Sequence, residues 1–467
     1  MALSTRGRRS VKPGLPYFSL FFEGVERGLH SAANPDGYVL LAVAENRLCY
    51  EAMAIEKLAS VRASAIDADT GAYTNMSGGA KLRSAWAAYA SRTVARRRQR
   101  VEPEHLVVGS GVGAIINNLS MLLCEPGDGV LLPTPAYAAL YNDFAVLAEC
   151  VVVDVPTAAP AFALTEQLLD AAAARAQRTG TLCRMLFLMN PNNPLGTVYS
   201  RDELRLCVRW AREQGLHLVV DEIYANSCWG ADDAAAGDAA VAADASTAVA
   251  AAGRKPERFV SIVDVVAEMA EEEGGAEKET FGMGRDVHVL WGASKDLGMS
   301  GYRVGVLYSR NADVLAAFSN IGYFQTCSND TQDMFAAMLR DEAWTDRYLA
   351  ESRRLLRASY EALTALLEEA RIPFVRACAA MFVWVDLREF LSPAPDRADP
   401  FSAERALTQR LFDECKILFT PGEPQHAPEP GFYRICYAYA PIEGVRAAFE
   451  RLGRFAARLR AERASAS

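Results

Sequence analysis

Residues 287–305 of this chain read VHVLWGASKDLGMSGYRVG. The apolar run at 287–291 is typical of a buried strand, and Lys295 follows it among small residues. A lysine amine can form a Schiff base with a carbonyl group, and Arg303, a short distance along the chain, can bind a phosphate. Small neighbours let a flat ring approach the backbone. An ordinary surface lysine after a strand is the alternative explanation.

The composition of the chain limits which classes of protein it can belong to. The chain has 467 residues, of which 51% are hydrophobic, and its formal net charge is -9 at pH 7. This balance gives no electrostatic support for binding nucleic acid or an anionic membrane surface, and no apolar run is long enough to span a bilayer. The 10 cysteines show no C-x-x-C pair and the 5 histidines no metal-ligand spacing. We therefore expect a cytoplasmic enzyme without a metal.

The first twelve residues are basic and contain no acid. A disordered leader and an organelle transit peptide both have this composition, so organelle targeting stays open beside the cytoplasmic expectation.

Short β-rich runs alternate with helix-compatible stretches between about residues 105 and 310. The strand candidates are residues 106–108, 129–132, 150–153, 184–189, 216–220, 287–291 and 304–308. The helix candidates between them are residues 114–124, 136–147, 165–178 and 201–214. Near-continuous apolar strands separated by helices predict an α/β fold with a mostly parallel seven-stranded sheet. Such sheets bind ligands at the carboxyl ends of their strands.

Residues 230–285 break this pattern, because an Ala- and Asp-rich stretch is followed by an acidic run. We interpret them as an inserted surface segment, partly helical or disordered. Helical patterns after residue 311 and a strand pair at 381–386 and 433–437 predict a smaller α+β domain. The predicted division is an N-terminal arm and small-domain segment at 1–45, a large domain at 46–320 and a C-terminal small domain at 321–467.

Polar side chains follow two of the other predicted strands. Asp221 ends one strand, with Tyr224 three positions on, and Asn193 lies in the turn NPNNPLG at residues 190–196. A helix N-cap is the alternative role for Asp221, and plain turn chemistry is the alternative for Asn193. Because ligands bind at strand ends in such sheets, these residues are candidates for a binding site.

Two further features indicate anion binding. The glycine-rich turn GSGVG at residues 109–113 precedes an apolar helix, so its amides and the helix dipole can bind a phosphate. Its candidate contacts are Ser110, Gly111, Val112 and Gly113. Arg434 lies in an apolar strand, and a buried arginine needs an anionic partner, either a substrate carboxylate or a structural salt bridge. Tyr137 follows a proline turn, where it can stack on a ring or simply pack.

The order of these features resembles the class I aminotransferases, which use pyridoxal 5'-phosphate (PLP). The resemblance implies a fold type I enzyme in which Lys295 holds PLP and Asp221 keeps its pyridine nitrogen protonated. Asn193 and Tyr224 would hydrogen-bond the phenolic oxygen of the cofactor, and Tyr137 would stack on its ring. Ser294, Arg303 and the glycine-rich turn would complete the cofactor site, and Arg434 would bind the substrate carboxylate.

The resemblance also implies a homodimer. The segment YTNMSGGAKLR at residues 73–83 is similar to the one that class I enzymes send into the site of the neighbouring subunit. Tyr73 would there contact the phosphate of the cofactor across the interface.

N-terminal motifs narrow the resemblance to the 1-aminocyclopropane-1-carboxylate (ACC) synthase-like branch. NPDGY at 34–38 and AENRLC at 44–49 are similar to motifs of that branch, in which the residue matching Glu45 helps to distinguish S-adenosylmethionine. The N-cap or a first-turn acid of a helix starting near Asn46 is the alternative for Glu45. Gly292 and Gly113 stand where the plant synthases have serine and threonine phosphate contacts, so PLP binding is implied more firmly than the lyase reaction.

We therefore predict a PLP-dependent aminotransferase that acts at the α-carbon of an amino acid, with a keto acid as second substrate. An ACC synthase-type lyase, which performs an α,γ-elimination on S-adenosylmethionine, is the alternative. A catalytically silent PLP-fold protein that acts through its acidic insert is a second alternative. A silent protein need not keep Lys295, Asp221, Tyr224, Arg303 and Arg434 together.

Overall fold

Strands and helices alternate along most of the chain. The computed structural model describes residues 3–4, 7–8, 10–11, 14–96, 99–159, 161–230, 258–272 and 282–466. The strands are β1 (Val39–Leu40), β2 (Leu106–Gly109), β3 (Gly129–Thr134), β4 (Val151–Pro156), β5 (Cys183–Met189), β6 (His217–Asp221), β7 (Val287–Gly292), β8 (Gly305–Ser309), β9 (Phe382–Asp386), β10 (Ile417–Leu418), β11 (Thr420–Pro421) and β12 (Phe432–Cys436).

The α-helices are α1 (Phe18–Arg27), α2 (Ile55–Ala65), α3 (Ala80–Thr93), α4 (Val112–Leu123), α5 (Ala139–Ala145), α6 (Glu166–Arg178), α7 (Arg201–Glu213), α8 (Ile262–Glu272), α9 (Ala312–Ile321), α10 (Asn329–Arg340), α11 (Glu342–Glu369), α12 (Phe401–Cys415) and α13 (Ile442–Ala466). A π-helical turn spans Tyr50–Ala54. Short 3-10 helices lie at Pro103–His105, Ser300–Tyr302, Gly322–Phe324, Arg388–Phe390 and Glu423–Gln425.

The large sheet has seven strands in the order β2-β8-β7-β6-β5-β3-β4. The neighbours from β7 to β4 run parallel, whereas β8 is antiparallel to both β7 and β2. The predicted fold class, a mostly parallel seven-stranded α/β sheet, is confirmed. Because β5, β6, β7 and β2 point the same way, their carboxyl ends share one edge.

Both faces of the sheet are covered, which explains why its central strands are apolar throughout. Along β5, Leu186 and Leu188 pack into one core cluster, and Met185 and Phe187 pack into the other. Successive side chains of a strand point to opposite faces, so this alternation places one cluster on each side. Helices α3, α6, α7, α8 and α10 contribute to the first cluster, and helices α4, α5 and α9 with the small domain contribute to the second.

The four predicted helices between the strands are present, and capping sets the start of one of them. The Ser200 side chain accepts a hydrogen bond from the Glu203 amide, and Glu203 returns one to the Ser200 amide, which forms a capping box at α7. Helix α5 is shorter than predicted at both ends. The Ala136 amide, which lies before the first residue of α5, donates to the Gln425 carbonyl in the small domain at 2.9 Å.

The small domain is built on the predicted strand pair. Strands β9 and β12 are antiparallel, and β11 pairs with the other edge of β12. The N-terminal segment joins this part of the molecule, since β1 pairs in parallel with β10. Helix α10 lies beyond the predicted boundary at residue 320, yet its Phe335 packs with Trp86 of α3 in the core of the large sheet.

The interpretation of residues 230–285 as a surface insert is wrong for part of the stretch. Residues 231–257 and 273–281 lie outside the described residues, but 258–272 include α8, which buries Ile262, Val265 and Met269 in the core. The apolar face of α8 covers the sheet between β6 and β7, as a crossover helix does in a parallel sheet. The acidic composition of the surrounding sequence concealed this apolar face.

Glu222 holds α8 in place. Its carboxylate accepts hydrogen bonds from the Ser261 hydroxyl at 2.7 Å, the Ile262 amide at 2.6 Å and the Trp291 indole at 3.1 Å. Glu222 is buried, and it directly follows the last residue of β6. The carboxylate therefore ties the start of α8 to both β6 and β7.

Replacing Glu222 with alanine should lower the free energy of unfolding by about 3 kcal/mol, because buried donors on Ile262 and Trp291 lose their acceptor. Urea unfolding followed by tryptophan fluorescence measures this loss. The matched control is Glu271→Ala, at an exposed position of the same helix, for which we expect a change within about 0.5 kcal/mol. Equal losses in the two variants would contradict the anchoring role.

Candidate active site

Lys295, Asp221 and Asn193 come together because they follow neighbouring parallel strands. Lys295 comes shortly after β7, Asp221 is the last residue of β6, and Asn193 lies in the turn after β5. Strands β5, β6 and β7 are adjacent in the sheet. The glycine-rich turn after β2 opens on the same edge, so the sequence-predicted groups converge there.

The Lys295 amine is shielded from bulk water but lies within reach of charged groups. Its Nζ donates a hydrogen bond to the Ala44 carbonyl at 2.6 Å. Burial, reinforced by the positive charge of Arg434, lowers the pKa of Lys295 to about 8. A substantial neutral fraction near neutral pH makes this amine a nucleophile and a base.

Asp221 and Tyr224 follow the adjacent strand β6, and the charge of Asp221 acts on the Lys295 amine. Asp221 is 2% exposed and accepts a hydrogen bond from the Ile223 amide at 3.0 Å. Burial raises the pKa of Asp221 to about 7, while that hydrogen bond and the charge of Lys295 act in the opposite direction. A cation placed against this carboxyl would stabilise its ionised form. Burial also raises the pKa of Tyr224. The Tyr224 ring packs edge-on against the Phe382 ring, with 5.5 Å between the ring centroids.

Arg434 and Asn193 connect the small domain with the large one. Arg434 is 2% exposed, and its guanidinium donates to Asn193 Oδ1 at 2.9 Å, the Ala42 carbonyl at 2.6 Å and Thr420 Oγ1 at 3.0 Å. None of the described residues offers Arg434 a carboxylate as ion-pair partner, so the structural salt bridge considered above is not formed. The Nε of Arg434 has no hydrogen-bond partner within the described parts of the chain.

The glycine-rich turn and Arg303 form a cradle for an anion. Gly111 has φ 95° and lies so close to Nη2 of Arg303 that a Cβ there would collide with it. Helix α4 begins at Val112, and the first amides of a helix have no intrahelical acceptor. Ser110 and Gly113 flank this N-terminus. A guanidinium above free amides is suited to a phosphate.

Gly292 explains one departure from the plant synthase pattern. A Cβ at this position would lie 3.0 Å from Val112 Cγ2 and 3.0 Å from the Val304 carbonyl oxygen. A serine there would therefore need Val112 or the Val304 carbonyl to give way by a few tenths of an ångström. Without that hydroxyl, backbone amides and Arg303 remain as candidate phosphate contacts beside Ser110 and Ser294.

Two tyrosines lie within electrostatic reach of Arg434, and the sequence indicated only one of them. Tyr137 is half-buried, and burial raises its pKa to about 12. Tyr17 is 5% exposed, and burial raises its pKa although Arg434 and Thr420 act to lower it. No motif marks Tyr17, because it precedes α1 far from the other site residues in the sequence. Its contact with the Arg434 region appears only in three dimensions.

Glu45 lies at the mouth of the pocket and is already paired. Its Oε1 accepts from the Ser300 hydroxyl at 2.6 Å, and its Oε2 accepts from Arg47 Nε at 2.8 Å. Burial works to raise the pKa of Glu45, but these two hydrogen bonds outweigh it and the pKa is lowered. The helix alternative for Glu45 is wrong, since the first helical turn after it begins at Tyr50. A cavity of about 320 Å³ adjoins these residues.

Tyr73 is the one predicted site residue that the fold does not bring into the pocket of its own chain. Its side chain is 89% exposed. Residues of α10 fix the segment around Tyr73. Asn329 donates a hydrogen bond to the Ala72 carbonyl at 2.6 Å, and the Gly79 amide donates one to the Gln332 side chain at 2.7 Å. Ser294, in contrast, is buried directly before Lys295.

The residues present fit PLP. Asn193 is 1% exposed, and its Nδ2 has no hydrogen-bond partner among the described residues, although a buried amide donor normally has one. This is the donor that the resemblance gives to the phenolic oxygen of the cofactor. A buried amine on Lys295, a buried carboxyl on Asp221 and a cradle under Arg303 supply the other contacts.

The described residues contain no group of ligands that could hold a metal ion. No described helix has the length and apolarity needed to cross a membrane.

Comparison with known proteins identifies relatives over almost the whole chain. The family model described as Aminotransferase class I and II matches residues 39–452. The chain is 31% identical to 1-aminocyclopropane-1-carboxylate synthase 4 of Oryza sativa, over 95% of this chain and 87% of that protein. It is 32% identical to synthase 3 of the same plant, over 94% of this chain and 92% of that protein.

Solved structures show the same fold. Aspartate aminotransferase from Thermus thermophilus aligns with a TM-score of 0.75 at 21% identity, covering 97% of this chain and 99% of that one. The aromatic aminotransferase from Pyrococcus horikoshii aligns with a TM-score of 0.69 at 21% identity, covering 90% and 95%. The chain therefore belongs to the class I and II aminotransferase family and is a PLP-dependent enzyme of fold type I.

Proposed function

We propose that this enzyme is an aminotransferase that exchanges the amino group of an amino acid with a keto acid. The observation that carries the proposal is the buried guanidinium of Arg434, which has hydrogen-bond partners but no carboxylate among the described residues. A substrate carboxylate bound there would place the α-carbon toward Lys295. PLP, when bound, supplies the electron sink for charge that develops at this carbon.

Lys295 is the proposed base. Its pKa of about 8, lowered by burial and by Arg434, keeps part of the amine neutral at physiological pH. Once the substrate amine has displaced it, the neutral Lys295 amine would remove the proton from the α-carbon and return it on the cofactor side. Hydrolysis by water would then release the keto acid, and the reverse sequence with the acceptor keto acid would complete transamination. Asp221 stabilises positive charge on the ring nitrogen, and Asn193 Nδ2 fixes the orientation of the ring.

The state of Glu45 favours transamination over the lyase reaction. A sulfonium substrate such as S-adenosylmethionine would gain from an unpaired carboxylate at the mouth of the pocket. Here the two carboxylate oxygens of Glu45 already accept hydrogen bonds from Arg47 and Ser300. The Arg47 guanidinium also lies over the Tyr439 ring, with its Cζ 4.2 Å from the ring centroid. The relatives from Oryza sativa are nevertheless named as ACC synthases, so a test of function must measure both reactions.

We also propose a homodimer in which Tyr73 acts in the site of the partner. Its exposure of 89% leaves the phenol free of its own chain's pocket. Tyr323 and Phe324, exposed by 61% and 84%, follow Gly322, which packs against Met76 of the same segment. A second copy of this chain would cover these rings.

A cytoplasmic location is our proposal for the compartment. All 10 cysteines are free thiols, and nine of them are buried, which suits a reducing environment.

The purified protein should show the visible absorbance of bound PLP and form keto acid from amino acids when a keto acid acceptor is present. Methylthioadenosine release from S-adenosylmethionine should be slower than the best transamination rate. Both products are measured in parallel by chromatography, with Lys295→Ala as the blank that lacks the absorbance. Faster release of methylthioadenosine would overturn the aminotransferase assignment. A wild-type protein without the absorbance would favour the silent interaction protein.

Arg434→Lys should lower kcat/KM for the amino acid about 100-fold, because lysine keeps the charge but loses the two-pronged contact with a carboxylate. Most of the loss should appear in KM, and the absorbance of bound PLP should remain. Arg397→Lys, at an exposed position, is the matched control. An unchanged KM in Arg434→Lys would show that the substrate carboxylate does not bind at Arg434.

Subunit mixing tests the shared tyrosine. Tyr73→Ala and Lys295→Ala should each be strongly impaired alone, but co-expression should restore about a quarter of wild-type activity, since each mixed dimer regains one intact site. Co-expression of Lys295→Ala with Arg434→Lys is the control and should restore nothing, because both residues serve the same subunit's site. No recovery in the first pair would place Tyr73 outside the partner's site.

A further inference from the structure

A cluster of three side chains joins the small domain to an edge of the large sheet. Asp154 lies in β4, Tyr141 lies in α5, and His426 directly follows the 3-10 helix at Glu423–Gln425. The Tyr141 hydroxyl donates to Asp154 Oδ1 at 2.7 Å, and His426 Nδ1 lies 2.7 Å from Asp154 Oδ2. The His426 ring also stacks on the Tyr141 ring, with 3.6 Å between the centroids and an interplanar angle of 13°. None of the three side chains belongs to the cofactor or substrate contacts described above.

His426 adopts a backbone conformation that is unusual for histidine. Its φ is 52°, in the left-handed region, which asparagine and glycine adopt more readily than other residues. Such a conformation persists where the surrounding contacts hold it. The His426 side chain is 40% exposed, and an exposed ion pair adds little stability by itself. What the contact with Asp154 determines is therefore the position of the backbone around His426.

Gln425, which directly precedes His426, is fixed to the large domain. It is fully buried, and its carbonyl accepts a hydrogen bond from the Ala136 amide at 2.9 Å. Ala136 in turn directly precedes Tyr137, the candidate for stacking on the cofactor ring. A displacement of Gln425 would therefore move the backbone that carries the Tyr137 ring.

The Gln425 side chain connects the same point with the substrate end of the pocket. Its Nε2 donates to the Pro421 carbonyl at 3.0 Å, and Pro421 directly follows Thr420 in β11. Thr420 pairs with Arg434 across β11 and β12, and its Oγ1 accepts from Arg434 Nη2 at 3.0 Å. The position of Gln425 thus bears on an acceptor that orients the Arg434 guanidinium.

We propose that His426 is a positioning residue for the active site. By binding the edge of the large sheet it fixes Gln425 between the two domains, and Gln425 holds the backbone beside Tyr137 and the segment that orients Arg434. Breaking the cluster would let both groups shift while the catalytic lysine and the phosphate cradle stay in place. The part of this inference that concerns Arg434 rests on the proposed function, in which Arg434 binds the substrate carboxylate.

The first test is spectroscopic and uses the PLP-saturated enzyme without substrate. His426→Ala should weaken the visible circular dichroism of bound PLP, because the Tyr137 ring no longer keeps a fixed orientation against the cofactor. Asp154→Ala should have the same effect, and the double variant should lose no more than either single variant, since both changes remove one shared contact. Arg410→Gln removes an exposed ion pair with Glu414 elsewhere in the small domain. This matched control should leave the dichroism unchanged.

The second test is kinetic and uses the amino acid with the highest transamination rate. His426→Ala should raise KM about fivefold and leave kcat nearly unchanged, because the carboxylate site is displaced while the base is not. His426→Asn should recover most of this loss, since asparagine keeps a hydrogen-bond donor on Cγ and tolerates the left-handed backbone. A residue that only stabilised the fold would move neither KM nor the dichroism at a temperature where the variant is folded.

Dichroism equal to wild type in His426→Ala would overturn the inference, whatever reaction the enzyme catalyses. Additive losses in the double variant would overturn it as well, because His426 and Asp154 would then not act through their mutual contact. Changed dichroism with an unchanged KM would overturn the link to Arg434. If the wild type forms no keto acid, the proposed function fails, while the dichroism comparison still decides whether His426 positions Tyr137.

Discussion

The hydrogen bonds of Arg434 hold the functional architecture together. One guanidinium joins three separate parts of the chain, through Asn193 after β5, Ala42 in the N-terminal segment and Thr420 in β11. The small domain therefore reaches the sheet edge through a charged group that forms no ion pair with the acids in the described parts of the chain. Its charge also acts on Lys295 and Tyr17. Domain arrangement, substrate binding and the acidity of the lysine thus depend on the same side chain.

Burial has opposite effects on the two principal ionisable groups at the sheet edge. It lowers the pKa of Lys295 to about 8 and raises that of Asp221 to about 7. The two values approach each other because a low-polarity environment penalises either charge. A ligand with a positive ring nitrogen and an anionic phosphate would reverse part of this penalty at Asp221 and use the donors at Arg303. The pocket is thus prepared for a ligand that carries its own charges.

The sequence predicted most of the large sheet and the residues at its edge, because both depend on local patterns. Apolar runs identify buried strands, and a polar residue directly after such a run, as with Asp221, must lie at a strand end. Contacts between distant segments left no such pattern. Tyr17 reaches Arg434 only through folding, and the pairing of Glu45 with Ser300 joins residues far apart in the chain. The sequence did not predict that α8 is buried, because the acidic residues around it mask the periodic apolar positions of its buried face.

The anchoring of α8 by Glu222 has a consequence for how this family can diverge. On one side of the connection, the Gly230 amide is fixed to the Cys378 carbonyl, and on the other, Phe259 is buried just before α8. Both attachment points are therefore set by contacts outside the intervening chain. A change of sequence confined to residues 231–257 therefore leaves both of these attachment contacts, and the hydrogen bonds from the start of α8 to Glu222, chemically unaltered.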